Sequence, residues 1–208
     1  MNEYKNNLKA FKDLLDKYTI ADLESMINHI PVKESGACCY PAIQTIISMM
    51  EMLGKLIRDK EGIEAINVIL TEMGSKYSSI IGLDQILYDL FRNGIAHNSL
   101  AKAGVFVRKS GTDDGFHLSN NGKNIDVKLF FNDFKTVYEE LFTGKLIDSN
   151  SETYYERNLK KVLSELGINW EGDRQSFTPS TTTFTTTSGV MSSGASGVAG
   201  PIKETHTP

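Results

Sequence analysis

Residues 88–100 read YDLFRNGIAHNSL, and the rest of the chain is best understood as scaffold for this stretch. Arg92 is followed by Asn93, Gly94, Ile95, Ala96 and His97. Five arginines and four histidines in a chain of 208 residues would produce about 0.1 such Arg–His spacings by chance, so the spacing alone carries little. The context adds weight. Leu83, Ile86, Leu87, Leu90 and Phe91 precede the motif at helical intervals. This predicts a helix from about Leu83 to about Ser99, after Gly82.

On an ideal helix each residue advances ~100°. Measured from Leu90, the residues Leu83, Ile86, Leu87, Gly94 and His97 fall within roughly 60° of one line, with Asn93 at its border. His97 is therefore expected on the inward stripe, with Asn93 four residues before it and able to hold its tautomer. Arg92 lies ~140° round from His97. The Arg side chain itself, a distortion at Gly94, or a second subunit would have to close that gap. Gly94 and Ala96 are small enough to let two backbones approach in a twofold dimer. Two readings of the residues follow. In one, His97 is a buried histidine satisfied by Asn93, and Arg92 is a surface or salt-bridging residue. In the other, Arg92 and His97 share a cleft and do chemistry.

Composition limits the rest. A 208-residue chain with 40% hydrophobic and 23% charged residues is ordinary for a globular protein, and its net charge is −4. After Gln175 only Lys203 and Glu204 are charged, so the folded part carries the deficit. That argues against a broad basic field for coating nucleic acid and leaves room only for a local basic cleft. Cys38 and Cys39 are adjacent, which provides no disulfide framework. Residues 1–13 hold no apolar run of signal type, and Ala42 to Ile57 is interrupted by Gln44, Thr45, Ser48, Glu51 and Lys55. The expectation is a soluble, cytoplasmic protein with reduced thiols and no membrane contact.

Taken in order, Tyr4, Leu8, Phe11, Leu15 and Tyr18 make one helical stripe. Leu23, Met26, Ile27 and Ile30 resume it after an expected break near Tyr18–Asp22, with Thr19 or Asp22 as cap. A loop holding Pro31, Gly36 and Pro41 leads to a helix from about Pro41 to Asp59 on Ile43, Ile46, Ile47, Met50, Leu53 and Ile57. Another, on Ile63, Ile66, Val68, Ile69, Leu70 and Met73, ends near Gly74. Methionines at this spacing read as core filler. After the motif helix come three short apolar runs, Val105–Val107, Phe116–Leu118 and Ile125–Val127, separated by SGTDDG and NNGKN. These turn signals predict a small β-meander over about 104–128, lying against the helices. A helix starting near Asn132 or Asp133 and ending at Gly144, and a last one closed by Gly167, complete the pattern. The polar face of the last helix, Glu156, Arg157, Lys160 and Lys161, reads as a solvated surface.

The fold class is thus mainly α, a helical bundle with a β-meander inserted after the motif helix. It occupies residues 1–172, with Trp170 the last residue expected to pack. Residues 173–208, rich in Thr, Ser and Gly, are expected to be a disordered tail. No Cys or His pair has metal-ligand spacing, no Gly-rich phosphate loop is present, and no cofactor is expected. The other histidines compete poorly with His97: His29 sits at a helix end, His117 in the meander and His206 in the tail.

The stretch YDLFRNGIAHNSL in an all-helical chain resembles the signature of the HEPN superfamily, in which an Arg and a polar residue are followed by a His. Arg92, Asn93 and His97 match that motif position by position. The resemblance is specific over about a dozen residues, architectural up to about Trp170, and does not extend to the tail. It implies a helical bundle that dimerises and places two motifs in one cleft. It also implies metal-independent RNA cleavage, commonly in toxin–antitoxin or antiviral systems. Arg92, His97 and Asn93 would then be catalytic, Lys102, Arg108 and Lys109 would rim the RNA, and an antitoxin or regulatory protein would be a further partner. The alternative it implies is a non-catalytic dimerisation, nucleotide-binding or regulatory protein. The chemistry is coherent. A histidine with an ordinary pKa near ~6.5 can take the ribose 2′-OH proton, and a permanently charged Arg fork can stabilise the phosphorane.

Overall fold

The computed structural model describes residues 3–32, 37–93, 104–147 and 151–168, and of Leu90 only the backbone. The chain separates into two units, Met1–Gln175 and Ser176–Pro208, and every described residue belongs to the first. The expected tail and Trp170 lie outside the described residues.

The first unit is mainly helical, as the apolar periodicities predicted. Helix α1 covers residues 3–29 and is unbroken: Glu3–Leu15, a wide π turn at Asp16–Ile20, Ala21–Glu24, and a second π turn at Ser25–His29. The break expected near Tyr18–Asp22 is absent, and the reason is visible in the spacing. The buried residues run Tyr4, Leu8, Phe11, Leu15, then Ile20, Leu23 and Ile27. The five-residue step from Leu15 to Ile20 is what one i→i+5 turn absorbs without ending the helix. Asp16 in that turn accepts the Tyr138 hydroxyl at 2.6 Å and the Lys12 ammonium at 2.7 Å, which ties it to a distant helix.

Helix α2, Cys39–Arg58, is the axis of the bundle, with ten buried residues from Ala42 to Ile57. Helix α3, Gly62–Glu72, lies against it so closely that a Cβ on Gly54 would sit 2.3 Å from the Ala65 carbonyl oxygen. Only a glycine on α2 permits this approach. A one-turn helix α4, Ser75–Ser78, follows, and then α5, Leu83–Ile86, which continues as a π stretch over Leu87–Arg92.

Strands β1, Phe106–Arg108, and β2, Asn124–Asp126, form a two-stranded sheet in which Phe106, Val107 and Arg108 face Asn124, Ile125 and Asp126. The strands lie where apolar runs predicted them, but the pairing is parallel and not a meander. In a meander the first and third runs are parallel and the second separates them. Here the second run, Phe116–Leu118, forms no ladder strand, and the outer two pair directly across the connection 109–123, long enough for a parallel crossover. Leu118, Asn120, Asn121 and Gly122 all have positive φ, and that left-handed turn returns the chain. Helix α6, Val127–Thr143, starts directly from β2, with Asp126 and not Asn132 or Asp133 at its N-terminus; Gly144 ends it. Helix α7, Glu152–Glu165, closes the unit, with Gly167 at φ +70 just beyond it. It packs on α2 partly through buried Asn158, whose Nδ2 donates to the Leu56 carbonyl at 3.0 Å.

A buried polar knot fastens the sheet to α4 and α6. The Asp126 carboxylate, fully buried, accepts from the N–H groups of Ser110, Gly111, Lys128 and Leu129 and from Arg108 Nε. Burial opposes its charge, but those donors outweigh it and hold the carboxyl below the usual range. The Asp126 N–H donates to His117 Nδ1 at 3.2 Å. Tyr77 Oη donates to Asp133 Oδ2 at 2.6 Å, so its 3.1 Å contact with His117 Nε2 takes the proton from the imidazole. His117 is therefore a neutral, satisfied core histidine. Burial, with the Lys76 ammonium nearby, pushes it down to about 4 against the opposing pull of Asp133, Asp126 and Asp113.

Two outcomes are expected. Gly54→Ala gains about 1 kcal/mol of helix propensity but must part α2 from the Ala65 backbone, so urea unfolding should show a net loss of about 2 kcal/mol; a gain would refute the close approach. For His117, the folded value near 4 lies below the unfolded value of about 6.5. The unfolded chain alone takes up the proton between the two. Stability should fall by roughly 2–3 kcal/mol as pH drops through that window and stop falling from this source below it. Unfolding midpoints measured across the window should show that slope in the wild type and a flatter one in His117→Gln.

Candidate functional site

The described part of the motif is Arg92 and Asn93; His97 and Lys102 lie outside the described residues. Along α5 the buried residues are Leu83, Leu87 and Phe91, at steps of four. A straight α-helix drifts by ~40° over each such step. The wider turns of the π stretch counter the drift and keep Phe91 on the inward line. Arg92 is the next residue, half-buried beside that line and aimed along α2 rather than fully out to solvent.

Three contacts hold the guanidinium. Nε donates to Glu51 Oε2 at 3.0 Å, Nη1 donates to Asn93 Oδ1 at 3.1 Å, and the plane lies over the Tyr88 ring at 5.4 Å. Tyr88 is backed on its own side by Gly62, whose Cβ position would be 3.6 Å from the ring. Gly62 has φ +55, a backbone conformation that suits glycine, and its missing side chain leaves room for the tyrosine. Asn93 Oδ1 thus accepts from Arg92, and the expected contact of Asn93 with His97 lies outside the described residues. Among the described residues, Arg92 Nη2 has no hydrogen bond.

Arg92 borders a cleft of about 340 Å³ between α2, the start of α3 and the end of α7, also lined by Ser48, Glu51, Lys55, Gly62 and Glu165. Among its described residues the cleft is not basic. Lys55 Nζ is shared by Glu61 at 2.7 Å and Glu165, Lys60 pairs with Glu64 at 2.6 Å, and Arg92 pairs with Glu51. Each cation answers a carboxylate, so the positive potential a polyanion would sense is largely cancelled.

Arg108 and Lys109, expected to rim bound RNA, are committed to the fold. Arg108 bonds Asp126 at 3.2 Å and Asp114, and its guanidinium covers the Phe116 ring at 4.2 Å. Lys109 Nζ donates to the carbonyls of Met26 at 2.8 Å, Ile30 at 2.5 Å and Ala37 at 3.1 Å. It satisfies the C-terminal end of α1, where a cation also suits the helix dipole. Sequence reading missed this because the carbonyls it serves lie some eighty residues upstream. Sequence reading also missed Glu51. The one available signal was an acidic residue inside the apolar run of α2, in line with Ser48 and Lys55 on the helix side away from the core.

Among the described residues no group of three His, Cys, Asp or Glu could hold a metal ion, and no helix is long and apolar enough to cross a membrane. No protein family, curated protein or solved structure compared with the chain matches it.

If Lys109 is structural, Lys109→Met should lower unfolding stability by about 1–3 kcal/mol, because three carbonyls lose a charged donor. A variant as stable as the wild type would return Lys109 to the surface role.

Proposed function

We propose that this chain is a metal-independent endoribonuclease of the HEPN type, acting as a homodimer in the cytoplasm as a toxin or antiviral defence component. Arg92 and His97 are its catalytic residues, and an antitoxin or regulatory protein is its natural counterpart. The observation that carries the reading is the anchoring of Arg92. Within the Arg–polar–His motif, the guanidinium is fixed by Glu51, Asn93 and Tyr88 at the edge of a cleft, with one edge uncommitted among the described residues. A fork held in place before substrate arrives stabilises developing charge without reorganising during the reaction. In the proposed reaction His97 takes the 2′-OH proton, the 2′ oxygen bonds the adjacent phosphorus, and the P–O5′ bond breaks. The 5′ oxygen leaves as a hydroxyl by taking up a proton from water, His97 returns its proton to solvent, and a cyclic phosphate remains. Arg92 neutralises charge on the phosphorane oxygens, and Asn93 and Glu51 position Arg92.

A second reading has its own support. The neutral cleft and the structural use of Arg108 and Lys109 favour a non-catalytic HEPN-like dimerisation, nucleotide-binding or regulatory protein, in which the motif only builds an interface.

Purified protein incubated with RNA in EDTA separates the two. The nuclease reading expects fragments ending in cyclic phosphate, and loss of cleavage in His97→Ala with unfolding stability retained. Arg92→Lys keeps the charge and loses the fork, and should reduce cleavage by about 10²–10³-fold. Intact RNA with the wild type, together with a weakened dimer in the Arg92 and His97 variants, would establish the second reading.

A further inference from the structure

The adjacent thiols of Cys38 and Cys39 play no part in the proposed cleavage, yet their setting is specific. Both are free and half-buried at the start of α2. Cys38 has φ 54 and ψ 21, a left-handed conformation that a residue with a side chain adopts at a cost. Its carbonyl accepts the Ala42 N–H at 3.0 Å, one of the first hydrogen bonds of α2. Cys39 Sγ lies 3.8 Å from the Ala37 carbonyl, which also accepts Lys109 Nζ at 3.1 Å. The two thiols therefore sit on either side of one peptide bond, at a point where backbone strain, a helix start and the Lys109 fastening meet.

The geometry points to Cys38–Cys39 as a reversible thiol–disulfide exchange site, oxidised by a small disulfide such as glutathione disulfide to a bond between neighbouring residues. In the first step the Cys38 thiolate attacks the small disulfide, forming a mixed disulfide and releasing one glutathione thiolate. In the second step Cys39 loses its proton and attacks the Cys38 sulfur, expelling the second glutathione. Two thiols are oxidised and one disulfide is reduced, with no other reactant. Burial pushes the Cys39 thiol up, with the Lys109 ammonium pulling the other way, which disfavours a first attack by Cys39. Consecutive Cα atoms are about 3.8 Å apart, closer than the roughly 4.4 Å at which disulfides ordinarily begin. The resulting bond is strained and readily reduced, as a regulatory bond must be. Closing it draws Cys39 Sγ away from Ala37 and loads the first turn of α2.

The test uses the full chain incubated with excess glutathione disulfide, alkylated, and analysed by intact mass and peptide mapping. The expected product has lost two hydrogens, resists alkylation at both cysteines, reverts with dithiothreitol, and melts several degrees below the reduced protein. Cys38→Ser and Cys39→Ser should each abolish the two-hydrogen loss, and Cys39→Ser should retain glutathione on Cys38. A wild-type product that keeps glutathione, alkylates at both thiols, or cross-links two chains would overturn the assignment.

Discussion

The close crossing of α2 and α3 at Gly54 organises the remainder of the described unit. With no side chain at Gly54, the Ala65 backbone comes well inside the van der Waals contact distance of a Cβ, and α3 is drawn down along α2. That approach sets the turn between them, where Gly62 presents a bare backbone to Tyr88, and Tyr88 in turn supports Arg92. Glu51 stands one helical turn before Gly54 on the same helix and completes the grip on Arg92. The packing constraint and the placement of the guanidinium thus belong to one piece of geometry. A wider α2–α3 separation would move the surface on which Tyr88 rests.

A second constraint is electrostatic. The chain has few cations to spare, and the described ones near the motif are mostly spent on structure. Arg108 meets a carboxylate that is buried and already surrounded by backbone donors, so its loss would leave Asp126 less compensated in a place water cannot reach. Lys109 satisfies helix-end carbonyls that otherwise have no donor within their own helix. Lys55 answers Glu165 across the cleft, and Lys60 pairs with Glu64 one turn along its own segment. Any polyanion approaching Arg92 meets a surface whose attraction is local and short in range, so affinity would have to come from contact geometry more than from steering.

The polar knot around Asp126 shows why apolar patterning locates strands without deciding how they pair. The runs at 105–107, 116–118 and 125–127 each carry at least two apolar residues, and the turns between them are of the kind that closes hairpins. The carboxylate of Asp126 gathers the N–H groups of Ser110 and Gly111, and the left-handed turn at 118–122 takes the middle run out of the ladder. Similarly, the lost phase in α1 reads as a break when only a 3.6-residue period is considered, whereas a single wide turn keeps the helix whole.

The continuity of α1 and the one-turn helix α4 were not legible locally; what the sequence by itself determined is the mainly helical class and, among the described residues, most of the inward faces of α2, α3, α6 and α7. Each of these depends on residues within a few turns of one another, where spacing and solvent preference suffice. Tertiary structure decided the parallel register of β1 and β2 and the use of Lys109 to close a helix eighty residues earlier. It also decided the partnership of Arg92 with Glu51 on another helix. These are long-range pairings of charge and backbone donors, and a long side chain takes whichever partner the packing of apolar faces brings within reach. No local pattern encodes that choice, because it exists only once α2, α3 and α5 have come together.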